Sequence, residues 1–159
     1  MVNQILHDHL AEYVLPDRVH NIDDLPWVPQ GEQVWFKPLR FDLVNGRWVN
    51  LLRVTKAGKV NRHRHSAQVL GFCLHGTWQY AERDWIARPG SFVFEPPGDV
   101  HTLLVDGSEE MQTLFLLEGT IQYMDDDNRL ISEDNVFTKL DRYLAYCREH
   151  SLNALDLRY

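Results

Sequence analysis

At 159 residues, with 44% hydrophobic, 11% aromatic and 25% charged positions, the chain has ordinary globular composition and the length of one domain. Its 16 basic and 23 acidic residues give a net charge of −7 with no basic run, which excludes a phosphate-neutralising face for nucleic acid. The first basic residue is Arg18, the longest nearly apolar stretch is Val69 to Leu74, and Cys73 and Cys147 have no CxxC spacing. A reduced, cytoplasmic protein without signal peptide, membrane anchor or disulfide is therefore expected.

Residues 1–30 form an opening arm. Val2, Ile5, Leu6, Leu10 and Tyr13 fall near one face of a short helix, although a strand or extended arm fits as well. His7 and His9 in this arm have no third ligand nearby and read as solvated residues. Residues 31–131 change to short β-branched and aromatic runs: Gln33 to Phe36, Leu39 to Val44, Arg47 to Thr55, Gln68 to His75, Thr77 to Trp85, Ser91 to Glu95, Val100 to Val105, Met111 to Leu117 and Thr120 to Met124. Turn residues such as Asn45-Gly46, His75-Gly76 and Pro89-Gly90 separate them, the pattern of an all-β sandwich or barrel. Residues 132–159 hold a C-terminal helix and tail, because Val136, Phe137, Leu140, Tyr143, Leu144 and Cys147 recur at offsets of three and four. That helix covers a mouth or flank of the β structure or packs across a dimer contact.

The chemistry-bearing residues are histidines. His63 and His65, two apart on a strand, project to one face while Arg64 projects to the other. The stretch Gly90 to His101 reads GSFVFEPPGDVH, and its PxG turn can return His101 beside that pair. Three neutral imidazole nitrogens leave positions on a divalent ion open for water, substrate or O2. Three partly buried polar histidines filling a barrel is the competing reading. Glu82 shares strand parity with Trp78 and Tyr80, so it is either a fourth ligand or a surface ion-pair partner. Glu95 suits a carboxylate that accepts an imidazole N–H and fixes the ligand tautomer. Phe72, Trp78 and Tyr80 are candidate walls of a substrate pocket, or plain core.

Together, His63-Arg64-His65 and GSFVFEPPGDVH resemble the paired motifs of the cupin superfamily, an all-β double-stranded β-helix, here with a C-terminal α-helix. Three departures stand out: four rather than five residues separate Gly58 from His63, Val69 takes the place of the usual first-motif Glu, and Val105 replaces the terminal Asn. The run from His63 to EPPGDVHTL, with the later Tyr-Met-Asp-Asp-Asp-Asn segment, is similar to the group containing dihydroxyacetophenone dioxygenase and the acetylacetone-cleaving enzyme. That resemblance implies His63, His65 and His101 as metal ligands, Glu95 beside them, Glu82 as a further ligand, and Fe(II) as cofactor. It further implies O2-dependent C–C cleavage of a small diketone or hydroxyketone, and a homodimer. The site chemistry also admits Zn, Ni, Mn or Cu. A non-catalytic metal-binding sensory cupin, or a metal-dependent isomerase or hydrolase, remains the alternative.

Overall fold

A computed structural model describes residues 13–159; the expected opening helix, His7 and His9 lie outside the described residues. Eleven strands follow a short 3-10 turn at Ile22–Asp24. They are β1 (Val28–Gly31), β2 (Val34–Asp42), β3 (Arg47–Val54), β4 (Lys59–His65), β5 (Val69–His75), β6 (Trp78–Tyr80), β7 (Phe92–Glu95), β8 (Val100–Val105), β9 (Met111–Glu118), β10 (Thr120–Met124) and β11 (Leu130–Asn135), and helix α1 (Val136–Glu149) closes the series.

The strands form a six-stranded sheet, ordered β1-β2-β3-β9-β5-β7, and a five-stranded sheet, ordered β11-β10-β4-β8-β6. All named strand pairs are antiparallel. Each central strand alternates: Val69, Gly71 and Cys73 turn inward on β5, and His101, Leu103 and Val105 on β8. The inward sets meet in one core containing Phe36, Trp48, Trp78, Met111 and Phe115. Trp78 is wholly buried against Tyr80, Trp85 and Phe115 at centroid distances of 5.4, 5.6 and 5.9 Å. These offset contacts supply the area and edge-to-face geometry that aromatic cores favour.

Some elements differ from the sequence reading. The runs Gln33 to Phe36 and Leu39 to Val44 are one strand, β2, continued past Pro38 by a register shift against β3 between Pro38 and Arg40. Such a bulge accommodates a residue with no N–H to give to the ladder. The run from Thr77 to Trp85 keeps strand geometry only to Tyr80. Glu133 and Asp134, which suit a helix N-terminus by charge, belong to β11; Asn135 is the cap, accepting from the Phe137 and Thr138 amides while the Thr138 hydroxyl accepts from the Asn135 amide.

Helix α1 packs on β11, β2 and β1. Its buried residues are Val136, Lys139, Tyr143 and Cys147, whereas Phe137 and Leu144 are exposed. The Tyr143 hydroxyl accepts from the Leu155 amide at 2.9 Å, and Phe41 N–H donates to the Leu157 carbonyl at 2.8 Å, so the tail after the helix is tied back to β2. Cys73 and Cys147 are both buried and unpaired with each other. Among the described residues no helix is long and apolar enough to cross a membrane.

Candidate metal centre

The centre is built where β4 and β8 pair. His63 lies directly opposite His101, and on the other side of β4, Tyr123 and Ile121 of β10 lie opposite His63 and His65. Between Val60 and His63 the β4–β8 register shifts, since Val60 pairs with Leu103 and His63 with His101. The extra residue on β4 lets both Val60 and His63 face inward although they are an odd number of residues apart. Bulges re-aim side chains in this way near functional sites.

The three rings meet at centroid distances of 4.6 Å (His63 and His101), 5.1 Å (His63 and His65) and 5.6 Å (His65 and His101). One nitrogen from each lies within 4.8 Å of the others, and all three residues are buried. His63 Nδ1 stands 2.6 Å from the Asn61 carbonyl oxygen. A carbonyl only accepts, so this nitrogen carries the proton and Nε2 keeps its lone pair. His101 Nδ1 lies 3.5 Å from the Asp99 carboxylate, which favours the same tautomer, and the Tyr80 ring stacks on His101 at 3.8 Å and 9°.

Glu95 reaches the same point from the opposite sheet. Its Oε2 lies 3.1 Å from His65 Nε2 and 3.5 Å from His101 Nε2, and the Tyr80 hydroxyl donates to its Oε1. Val69, which occupies the place of the cupin first-motif Glu, is paired in register with Glu95 across β5 and β7. Glu95 thus stands on the neighbouring strand, directly opposite the position of the usual first-motif carboxylate.

Burial governs the charge states. It pushes His63 down to about 3, aided by the repulsion of His65 and His101, and pushes His101 down as well. Burial alone would raise the Glu95 carboxyl, but the adjoining His65 and His101 rings and the Tyr80 hydroxyl outweigh it and hold the group low. Burial, then the Glu95 charge, raises Tyr80 well above the ordinary phenol range. His63 and His101 are thereby held neutral beside a carboxyl that is held low.

The donor set fits a divalent cation on an observation independent of spacing. His101 Nε2 and Glu95 Oε2 are buried without a hydrogen-bond partner, a costly condition that a shared cation relieves. The adjoining cavity, about 40 Å³, is lined by His63, His65, Glu95, Tyr80, Tyr123 and Lys139 and otherwise mainly by apolar side chains.

Other expected positions lie elsewhere. Glu82 is exposed beyond the end of β6, where strand parity no longer applies; its Oε2 accepts from the Thr102 amide at 2.9 Å and its Oε1 pairs with Arg62 at 3.5 Å. It is a surface ion-pair partner and stands outside the histidine cluster. Phe72 points to the outer face of β5, 43% exposed, because Gly71 and Cys73 take the inward parity. Trp78 is core and does not line the cavity, whereas Tyr80 does. Lys139, Gln30 and Tyr123 are cavity residues that the sequence reading passed over; an isolated polar residue within an apolar helix stripe was the one available signal.

A family model described as the ChrR cupin-like domain matches residues 16–122. The chain belongs to this cupin family. An RmlC-like cupin protein from Ralstonia eutropha JMP134 is 30% identical, with 94% of this chain and 98% of that one covered at a TM-score of 0.86. An acetylacetone dioxygenase from Acinetobacter johnsonii shares the fold at 16% identity, covering 83% and 93% of the two chains, with a TM-score of 0.72. The anti-sigma factor ChrR, in complex with SigE of Rhodobacter sphaeroides, shares it at 16% identity over 71% and 55%, with a TM-score of 0.52. No curated protein matches.

Proposed function

We propose that this cupin is a mononuclear non-haem iron dioxygenase that cleaves a C–C bond of a small diketone or hydroxyketone with O2, its metal held by His63, His65 and His101. The observation that carries the reading is the donor set: three buried imidazoles converging on one point, with Val69 where a further first-motif carboxylate would stand. Three protein nitrogens leave coordination positions open, as a substrate that chelates through two oxygens requires. The fold shared with an acetylacetone dioxygenase supports the same chemistry. Bound Fe(II) would supply Lewis acidity toward the ketone oxygens and one-electron chemistry toward O2.

The chain's own residues bind and orient. Glu95 accepts from the Tyr80 hydroxyl and stands 3.1 Å from His65 Nε2, so one carboxylate would position a ligand ring and a cavity hydroxyl together. Tyr80 keeps its proton and its stacked plane restrains the His101 ring. Leu103, Phe115, Leu117 and Ile121 give the cavity apolar walls against which a small ketone would be oriented. The substrate, O2 and a cytoplasmic location complete the proposal.

A metal-binding sensor without catalysis is the second reading, favoured by the family model's likeness to the ChrR cupin domain. Anaerobic Fe(II) loading followed by O2 uptake with a panel of diketones and hydroxyacetophenones separates the two. Uptake that needs both Fe(II) and a ketone supports the dioxygenase; full iron occupancy with no uptake across the panel rejects it in favour of the sensor.

A further inference from the structure

The polar side chains lining the cavity beside the histidines are engaged with one another or with their neighbours, with a single exception among the described residues. The Tyr80 hydroxyl donates to Glu95, and His63 Nδ1 stands against the Asn61 carbonyl. Gln30 Nε2 donates to the Tyr123 hydroxyl at 3.1 Å, and Lys139 Nζ donates to Gln30 Oε1. Tyr123 and Lys139 in turn meet Asp134 at 3.4 and 3.1 Å. The exception is Asn50. It lines the same cavity and is 4% exposed, yet no side-chain hydrogen bond joins its carboxamide to any described residue. A buried amide left unpaired costs free energy until something pairs it, so such a group facing a cavity marks where a ligand's polar atom belongs.

Strand parity puts Asn50 there. On β3 it shares the inward face with Trp48, Leu52 and Val54. It pairs in register with Phe115 of β9; two residues further along β9, Leu117 pairs with Val69, and Val69 with Glu95. Glu95 on β7 and Asn50 on β3 are therefore three strand steps apart on one inner face, about 14 Å along the sheet. Val69, Phe115 and Leu117 lie between them and are apolar. One end of this wall stands beside the histidines, and the other carries the free carboxamide.

The chemistry of that far end is neutral. A carboxamide bears no charge and offers two N–H donors and an acceptor oxygen, which a hydroxyl, both donor and acceptor, complements. The one ammonium lining the cavity, Lys139, is already compensated by Asp134.

We propose that Asn50 is a substrate-positioning residue, and that the chelating ketone carries a further, neutral hydroxyl that Asn50 takes up at the end away from the metal. This inference rests on the metal-centre and ketone readings above.

Calorimetric titration of Zn(II)-loaded protein, which binds ligand without turnover, tests it after metal analysis. The probes are 1-hydroxypentane-2,4-dione and hexane-2,4-dione, which have the same number of heavy atoms and differ by a hydroxyl in place of a methyl. The hydroxylated ligand should bind roughly tenfold more tightly, the worth of one hydrogen bond. Asn50→Leu, close in shape but without the amide, should bring the two affinities within about twofold of each other, and so should Asn50→Ala, which adds no bulk. Metal-free Asn50→Leu should melt no lower than wild type, because an apolar group replaces an unpaired polar one. Equal affinities in the wild type, a preference that survives both substitutions, or a Tm lower by roughly 5 °C or more in both variants overturns the proposal and leaves the metal centre intact. Protein that takes up no Zn(II) overturns the metal centre, and protein that takes up Zn(II) but binds neither ligand overturns the ketone reading. This proposal falls with either, and the metal analysis tells those failures apart.

Discussion

His63 and His101 face each other across the β4–β8 pair, their rings 4.6 Å apart and nearly perpendicular at 88°. The distance follows from strand pairing, since directly opposed residues hold their Cβ atoms about 4.5–5.5 Å apart. Two residues 38 positions apart in the chain are thus brought together by the pairing of β4 with β8.

Glu95 is expected to govern metal affinity through His65. Glu95→Gln keeps the side-chain volume but loses the charge that contacts His65 and His101 at 3.1 and 3.5 Å. Chelator competition should show metal affinity reduced by roughly 10- to 100-fold. Affinity equal to wild type would mean that the carboxylate plays no part in the centre.

Gly76, in the turn after β5, is there for backbone reasons. It has φ +66°, and a Cβ would lie 2.2 Å from the Glu110 carbonyl oxygen. Gly46 has φ +65° with open space around the missing Cβ. Gly46→Ala should therefore cost about 1 kcal/mol of left-handed strain, and Gly76→Ala clearly more, with Tm lower by roughly 5 °C or more. Similar melting temperatures for the two variants would refute the close-contact explanation.

The sequence shows much of this arrangement because strand alternation is a period-two signal that survives without structural context. His63 and His65 were readable on that basis, whereas His101 and Glu95 were readable from the stretch around the PxG turn. Glu82 was not, because parity extrapolates only while a strand lasts, and β6 stops at Tyr80. Phe72 shows the reverse limit: a large aromatic on a strand states its period and not which face is inside. The buried stripe of α1 was legible at Val136, Tyr143 and Cys147, but Lys139 at its centre was hidden by its charge. Only the fold reveals that Asp134 and Gln30 await it.

The metal-free protein should lose stability on acidification. His63 titrates at about 3 when folded and near 6.5 when unfolded. Between those values the unfolded chain holds a proton that the folded chain rejects, so unfolding becomes easier as pH falls, by up to about 1.4 kcal/mol per pH unit for one group. His101 is shifted in the same direction and adds to the slope. Urea midpoints at pH 7, 6 and 5 should decline in the wild type and decline less in His63→Gln. A midpoint that rises toward pH 5 would contradict the burial of neutral imidazoles.

The outer face of β5, β7 and β9 carries Phe72, Leu74, Phe92, Phe94 and Leu116, each 43% to 65% exposed. Phe72 pairs with Phe92, and Leu70 lies between Phe94 and Leu116, so these side chains form a continuous apolar patch. A two-fold axis would set this apolar sheet face against the same face of a second copy and take both out of water. We propose that the chain forms a homodimer through it. Light scattering should give a dimer mass for the wild type and a monomer mass for Phe92→Asp with Phe94→Asp; a monomeric wild type would rule the interface out.

The metal content of untagged, purified protein, measured beside that of His63→Ala and His101→Ala, tests the account most directly. One equivalent of a divalent transition metal in the wild type and almost none in either variant is the predicted result, because two nitrogens hold such an ion poorly against water. Full occupancy in both variants, or a wild type that stays empty after loading with Fe(II) and Zn(II), would contradict it.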